Sequence, residues 1–257
     1  MIIAIIQARM GSTRLPKKVM KMILGKPIIS YLLERVSKSK RIDKIIVATT
    51  TNSEDDILTN YIKVLGYEVY RGSSDDVLSR YYTTYSSTEN NKDITDIVRI
   101  TGDCPLIEPR IIDSLIEFYI QNKADYSALT QRFAEGLDTE VFSVKLLEEA
   151  YASANLKSER EHVTQYFYNN KEQFNMCFLE NDTDDAKYRI TVDEPADFIV
   201  VKNIIESLNL NNIDLNIKNI KRYLDSNVNI FELNSKIVRN EGLEKSLKYD
   251  APIVKKL

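Results

Sequence analysis

The chain begins with a short apolar run, Ile2 to Ile6, and passes at once into Gln7-Ala8-Arg9-Met10-Gly11-Ser12-Thr13-Arg14-Leu15-Pro16-Lys17-Lys18. The run is too short for a helix and rich in β-branched residues, so it reads as the first strand of a buried sheet. A buried strand followed by a strongly cationic loop narrows the fold to an α/β sheet, because ligands of such sheets bind at the C-terminal ends of the strands. The loop's composition suits an anion: Gly11 allows close backbone approach, Ser12 and Thr13 can donate hydrogen bonds, and Arg9, Arg14 and Lys18 are cations. A solvated basic turn is the alternative, but it requires neither two arginines nor both hydroxyls.

The pattern downstream agrees. Pro27 opens a helix to about Ser37, with Ile28, Ile29, Leu32, Leu33 and Val36 on one face. Lys44 to Ala48 is a second buried strand. Ser53 and Asp56 form a capping box for a helix that Gly66 ends. Glu68 to Tyr70 is a short strand, Val77 to Tyr85 a helix, and Asp96 to Ile100 a fourth strand leading into Thr101-Gly102-Asp103-Cys104-Pro105. Pro109 starts another helix. This order predicts an α/β fold, a mostly parallel central sheet with helices on both faces. After Asp125 the order loosens into short strands and loops over 126–143, helices over Lys145–Ala154 and Ser158–Asn169, a strand over Tyr188–Val192, and a helix beginning near Pro195. The tail from Asn209 reads as two helices packed on the outside. No linker or repeat divides the 257 residues, so one domain is expected.

Charge and cysteine content exclude several function classes. A net charge of -3 gives no general field for nucleic acid, so the basic loop is local and fits a small anion. No apolar stretch approaches the ~20 residues of a membrane span, and Met1 leads straight into the first strand, so a cytoplasmic protein is expected. Cys104 and Cys177 lack metal-type spacing.

Asp103 follows the fourth strand and Asp193 the late one, in Arg189-Ile190-Thr191-Val192-Asp193-Glu194-Pro195. Two carboxylates facing a phosphate cradle suit Mg²⁺, which takes one or two protein carboxylates and fills its shell with phosphate and water. Two turn-forming aspartates before prolines are the structural alternative. Ser73-Ser74-Asp75-Asp76 precedes the helix that carries Arg80; these groups either cap the helix or meet a nucleotide's base and ribose. Arg99 sits on an apolar strand and requires a carboxylate partner if buried. His162 is the sole histidine, so a Ser-His-Asp or multi-His metal mechanism has little to work with. It serves either as a hydrogen-bonding or proton-transferring group at an acceptor, or as a packed structural residue.

Together these residues resemble the cytidylyltransferases that activate acidic sugars, the CMP-Kdo and CMP-acylneuraminate synthetases, and above all the spore-coat polysaccharide F-type proteins. The resemblance runs through the loop Ala8–Lys18, GSSDDVLSRYY at 72–82, VRITGDCPLI at 98–107, GLDTEVF at 136–142, EREHVT at 159–164, RITVDEPADF at 189–198 and RNEGLEKSLKYD at 239–250. It implies a nucleotide-diphospho-sugar transferase (GT-A-like) fold with a nucleotide-binding half at 1–125, an acceptor and dimer-contact part at 126–208, a helical tail at 209–257, and a homodimer. It implies that Ala8, Arg9, Gly11, Ser12, Thr13, Arg14, Lys18, Ser74, Asp75, Arg80, Thr101, Gly102 and Asp103 hold CTP. Asp103 and Asp193 would bind Mg²⁺ and, with Arg14 and Lys18, form the catalytic set. Asp138, Glu140, Glu159, Arg160, His162 and Arg189 would face the acceptor. The family pattern is LPGK; this chain has Lys17 in the glycine position, which bears on the loop path. The reaction implied is attack of an acceptor oxygen on the α-phosphorus of CTP, with pyrophosphate leaving. A sugar-acid carboxylate, a phosphate or a phosphonate would each suit Arg132, Arg160 or Arg189. A glycosyltransferase on the same fold, and transfer from another nucleoside triphosphate, are the remaining readings.

Overall fold

The computed structural model describes residues 1–253. The first half runs β1 (Ile2–Gln7), β2 (Met22–Ile23), β3 (Lys26–Pro27), α1 (Ile28–Val36), β4 (Lys44–Thr50), α2 (Asp56–Val64), β5 (Glu68–Gly72), α3 (Val77–Ser86), β6 (Asp96–Thr101) and α4 (Pro109–Gln121). The second half adds β7 (Tyr126–Leu129), β8 (Glu140–Ser143), α5 (Val144–Ser153), α6 (Lys157–His162), α7 (Gln165–Asn169), β9 (Met176–Leu179), α8 (Pro195–Leu210), α9 (Ile217–Ser226), α10 (Val228–Phe231) and α11 (Glu241–Lys248). None of the described helices is long and apolar enough to cross a membrane.

Seven strands form one mixed sheet in the order β5-β4-β1-β6-β8-β7-β9. β1 lies between β4 and β6 and is parallel to both. β8 is antiparallel to β6 and to β7. Successive β1 side chains explain its unbroken apolar run. Ala4 and Ile6 pack against Leu32 and Leu33 of α1 and Ile112 and Leu115 of α4. Ile3 and Ile5 face Leu78 and Tyr81 of α3 and Leu147 of α5. A strand covered on both faces has no polar face to alternate with.

Three sequence expectations are corrected. Tyr188–Val192 is not a strand of the sheet; it crosses the strand ends and makes only an isolated bridge, Glu135 with Arg189. Gly136 permits this crossing: its φ is +103°, and a Cβ there would lie 2.5 Å from the Thr191 nitrogen. The helix expected over 158–169 is broken at Val163, whose φ of 56° and ψ of -63° form a γ-turn closed by a 2.5 Å hydrogen bond from Thr164 N to His162 O. A β-branched residue in that conformation is strained by about 1–3 kcal/mol. Among the described residues the tail contains three helices instead of two.

The capping box at Ser53 and Asp56 also does not form; α2 starts after a short 3₁₀ turn, with no side-chain cap. Asp55 points elsewhere. It is fully buried, accepts a 2.6 Å hydrogen bond from Met10 N, and is hydrogen-bonded by the Thr50 hydroxyl. The Met10 carbonyl in turn accepts from Ser12 N and Lys17 N, each at 3.0 Å. Lys17 has φ 58° and ψ 26°, the left-handed conformation that suits the family's glycine. Asp55→Ala is expected to lower stability by about 2–4 kcal/mol in urea unfolding, because it strands two buried donors.

Candidate active site

The basic loop, the end of β6, and the crossing segment enclose a cleft of about 760 Å³ at the strand C-termini. Lys18 Nζ stands between two carboxylates, 2.7 Å from Asp103 Oδ2 and 2.9 Å from Asp193 Oδ1. Arg14 pairs with the other oxygen of Asp193 and reaches Glu194 at 3.5 Å. The side chains of Lys18, Asp103 and Asp193 keep only 13, 23 and 18% of their surface exposed, so these charges interact more strongly than they would in water. Burial alone would raise the Asp103 carboxyl; the Lys18 ammonium and the Thr101 hydroxyl instead hold it down at about 2. Burial opposes the Lys18 charge too, yet the two aspartates raise its pKa.

Asp193 reaches this position without a strand beneath it. Val192 N donates to Asp103 O at 2.7 Å, and the Thr191 hydroxyl donates to the same oxygen at 3.1 Å. Asp197, with no exposed surface, accepts from Asp193 N and Glu194 N at 3.0 and 2.8 Å. Its carboxylate also takes Arg189 side-on, Nε at 2.8 Å and Nη2 at 2.9 Å, while the third guanidinium nitrogen of Arg189 pairs with Glu135 at 2.6 Å. Gly102 brings β6 against β1: a Cβ there would lie 2.8 Å from that of Ala8.

Of the nucleotide residues expected from sequence, Ala8, Arg9, Gly11, Ser12, Thr13, Arg14, Lys18, Arg80, Thr101, Gly102 and Asp103 line the cleft. Ser74 and Asp75 do not. The Ser74 hydroxyl donates to Asp75 at 3.1 Å, and the Ser74 carbonyl accepts from Arg9 at 3.3 Å. The cap of α3 is Asp76, whose side chain accepts from Ser79 N. Arg80 is 3% exposed and donates to Ser73 O at 2.5 Å.

At the other end, Asp138, Glu140, His162 and Arg189 line the cleft. Glu140 is the partner that Arg99 needed, paired directly across β6 and β8. It also accepts from the Tyr126 hydroxyl at 2.6 Å and the Thr164 hydroxyl at 2.8 Å. His162 Nε2 is buried with no partner among the described residues, and burial pushes the imidazole below its ordinary pKa, toward the neutral form. Glu159 and Arg160 turn away, which corrects their expected place at the acceptor. Glu159 accepts from Asn155 N at 2.9 Å and Leu156 N at 3.1 Å, bracing the start of α6. Arg160 donates to the Tyr151 carbonyl at 2.9 Å and lies 5.3 Å from the centre of that ring. Arg189 faces the cleft, but Asp197 and Glu135 engage all three of its nitrogens, so its role is to brace the segment bearing Asp193.

Sequence reasoning missed Asp55, Asp197 and Arg239. Asp197 had a detectable signal, since it stands at the third position of a helix opened by Pro195 and closes a capping box with Glu194. Arg239 had none: it reaches Asp138 from a hundred residues away. Asp197→Asn is expected to destabilise by about 3–5 kcal/mol in urea unfolding, by leaving a buried guanidinium underpaired. Arg189 and the hydrogen bonds from Glu194 N and Asn234 hold the Asp197 carboxyl below its ordinary value against the effect of burial. Its stabilisation is therefore complete above the ordinary carboxyl pKa of about 4 and fades as pH falls below it. The loss of stability in Asp197→Asn should shrink in urea titrations run toward acid.

The comparisons agree with this geometry. A family model described as Cytidylyltransferase matches residues 3–220. A protein of Methanocaldococcus jannaschii, itself uncharacterised, is 40% identical over 92% of this chain and 95% of its own. The spore coat polysaccharide biosynthesis protein SpsF of Bacillus subtilis is 32% identical over 78% of this chain and 85% of its own. The solved structure of a cytidylyltransferase from Leptospira borgpetersenii superposes with a TM-score of 0.81 at 33% identity, covering 90% of this chain and 96% of that one. These matches decide for nucleotidyl transfer over the glycosyltransferase alternative. The chain belongs to the cytidylyltransferase family, enzymes of the CTP-dependent nucleotidyltransferase type.

Proposed function

We propose that the protein transfers CMP from CTP to an acidic sugar of the octulosonic or nonulosonic type, releasing pyrophosphate, for surface polysaccharide or glycoconjugate synthesis on a GT-A-like fold. The observation that carries this reading is the convergence of Asp103 and Asp193 on a single cation beside the loop of Arg9, Arg14 and Lys18. The acceptor class follows from the resemblance to CMP-Kdo and CMP-acylneuraminate synthetases along the motifs from Ala8 to Phe198. The same cleft chemistry leaves a small phosphorylated or phosphonate acceptor as an outcome of the test.

The aspartate pair fits a hard divalent ion. Both carboxylates already point at one position held by positive charge, and Mg²⁺ accepts two protein carboxylates with phosphate and water completing its shell. When bound, Mg²⁺ neutralises charge on the reacting phosphates. The chain's own groups do the rest. With Lys18 released from the aspartates, its three donors, together with the forks of Arg9 and Arg14, hold the triphosphate and offset the charge growing on pyrophosphate as it leaves. Arg80 lines the nucleoside end. Asp138, Glu140 and neutral His162 line the acceptor end, where His162 can accept or donate one hydrogen bond to the sugar. Because the acceptor oxygen attacks the α-phosphorus directly, no protein nucleophile is required, and positioning with electrostatics supplies the rate.

Pyrophosphate release tests the reading. With Mg²⁺ and a panel of sugar acids, sugar phosphates and phosphonates, release is expected with CTP and an acidic sugar and not with UTP, GTP or ATP. Release with CTP and only a phosphonate would redirect the acceptor; release with another nucleotide alone would overturn the reading. Asp103→Asn and Asp193→Asn are each expected to lower turnover at least ~100-fold, about 2.7 kcal/mol of barrier. A homodimer belongs to the same reading. The edge strand β9, with Phe178 42% and the neighbouring Tyr168 41% exposed, supports it. Light scattering at micromolar concentration should give twice the 29.6 kDa chain mass, and a monomer would contradict it.

A further inference from the structure

One wall of the cleft lies outside the residues 3–220 that match the family. Val238, Arg239, Asn240, Glu241, Gly242 and Leu243 line it in succession. The last buried side chain before them is Asn234, 3% exposed, which donates to Arg189 O at 3.0 Å and to Asp197 Oδ1 at 2.9 Å. Beyond it, none of the described side chains from 235 to 253 is buried.

This strap is fastened by polar contacts at two places. At its start, Arg239 Nη1 donates to the carbonyls of Gln131 and Phe133 at 3.2 and 3.1 Å, and Nη2 pairs with Asp138. At its end, Asp250 accepts from Ser158 N and Oγ at 3.0 and 2.6 Å, and Ile253 N donates to Asn155 O at 2.7 Å. Between these, Arg14 reaches Glu241 at 3.8 Å and Ser246 reaches Glu161 at 3.2 Å. Half-exposed ion pairs contribute little to stability. A segment held by exposed or part-buried polar contacts, with no buried apolar side chain among its described residues, sits at the low end of local stability, where binding lids are found. Both fastenings are on elements of the acceptor end: the 131–138 loop and α6.

We propose that residues 238–253 form a strap that opens to admit the acceptor and closes to complete its pocket, with Arg239 fixing the closed position. The placement of the acceptor rests on the function proposed above; the opening of the strap does not. Arg239 acts through Asp138 and the two carbonyls, so it is a positioning residue. Closure over the acceptor end would set the size of acid the pocket accepts. The strap meets the phosphate loop through the half-exposed 3.8 Å pair of Glu241 with Arg14, a weak contact, so CTP binding would change little whether the strap is open or closed.

Native-state hydrogen exchange and steady-state kinetics on the full chain test this together, comparing wild type with Arg239→Ala and Arg239→Lys. In wild type without ligand, amides of 241–250 should exchange at least ~100-fold faster than those of β1 and β6. Arg239→Ala should speed the strap a further ~10-fold and leave β1 unchanged, with partial rescue in Arg239→Lys. With Mg²⁺, CTP and either 3-deoxy-manno-octulosonate or N-acetylneuraminate, Arg239→Ala should raise the acceptor KM at least ~10-fold and leave the CTP KM within about twofold. Strap amides that exchange only in step with β1, or equal changes in both KM values, would overturn the proposal. Should wild type use neither acid, the acceptor reading has failed, and the exchange result alone decides whether the strap opens.

Discussion

A single ammonium group organises the cleft. Lys18 Nζ is hydrogen-bonded to Asp103 and Asp193, residues 90 positions apart in sequence that would otherwise repel one another across a poorly hydrated gap. Neither carboxylate is stable there without a cation, and Lys18 is stable there because of the carboxylates. The same balance describes what a nucleotide brings. In the reading proposed above, its phosphates would be ligands for the lysine, and Asp103 and Asp193 would then be free to hold an accompanying Mg²⁺. The aspartate pair is thus held together by a side chain that the substrate could take over.

That arrangement rests on two buried carboxylates with no part in the chemistry. Asp55 holds Met10, and through the Met10 carbonyl it sets the turn that carries Ser12 and the left-handed Lys17. Asp197 holds Arg189 and the two amides that aim Asp193. Each is a carboxylate buried away from water and met by donors, a geometry in which one lost partner costs far more than an exposed ion pair would. The acceptor end has a different construction. Its wall includes the strained γ-turn at Val163 and a tail fastened by polar contacts near the surface.

The sequence was most readable where period and chemistry coincide. The βαβα pattern of the first 125 residues gave the main strands and helices and the cationic loop that lines the cleft, because buried parallel strands are uniform apolar runs and their C-terminal ends collect polar residues. Asp103 and Asp193 were legible for the same reason, although Asp193 arrives on a crossing segment that imitates a strand in composition. Tyr188, Ile190 and Val192 alternate as a strand would; they are buried by α8 and the 133–137 loop instead of by sheet neighbours. The acceptor end was poorly legible because its contacts are long-range. Nothing local in EREHVT tells that Glu159 and Arg160 brace their own helix while His162 faces the cleft, and nothing in the tail announces that Arg239 closes on Asp138.

If Lys18 holds the aspartate pair in readiness for a nucleotide and its metal, a crystal structure of the full chain with CTP and Mg²⁺ will show it. The triphosphate is expected on the Arg9–Lys18 loop, with the Lys18 ammonium moved onto phosphate oxygens and Asp103 and Asp193 both ligating the ion. Lys18 still bridging the two aspartates with CTP bound, or the triphosphate lying away from that loop, would contradict it.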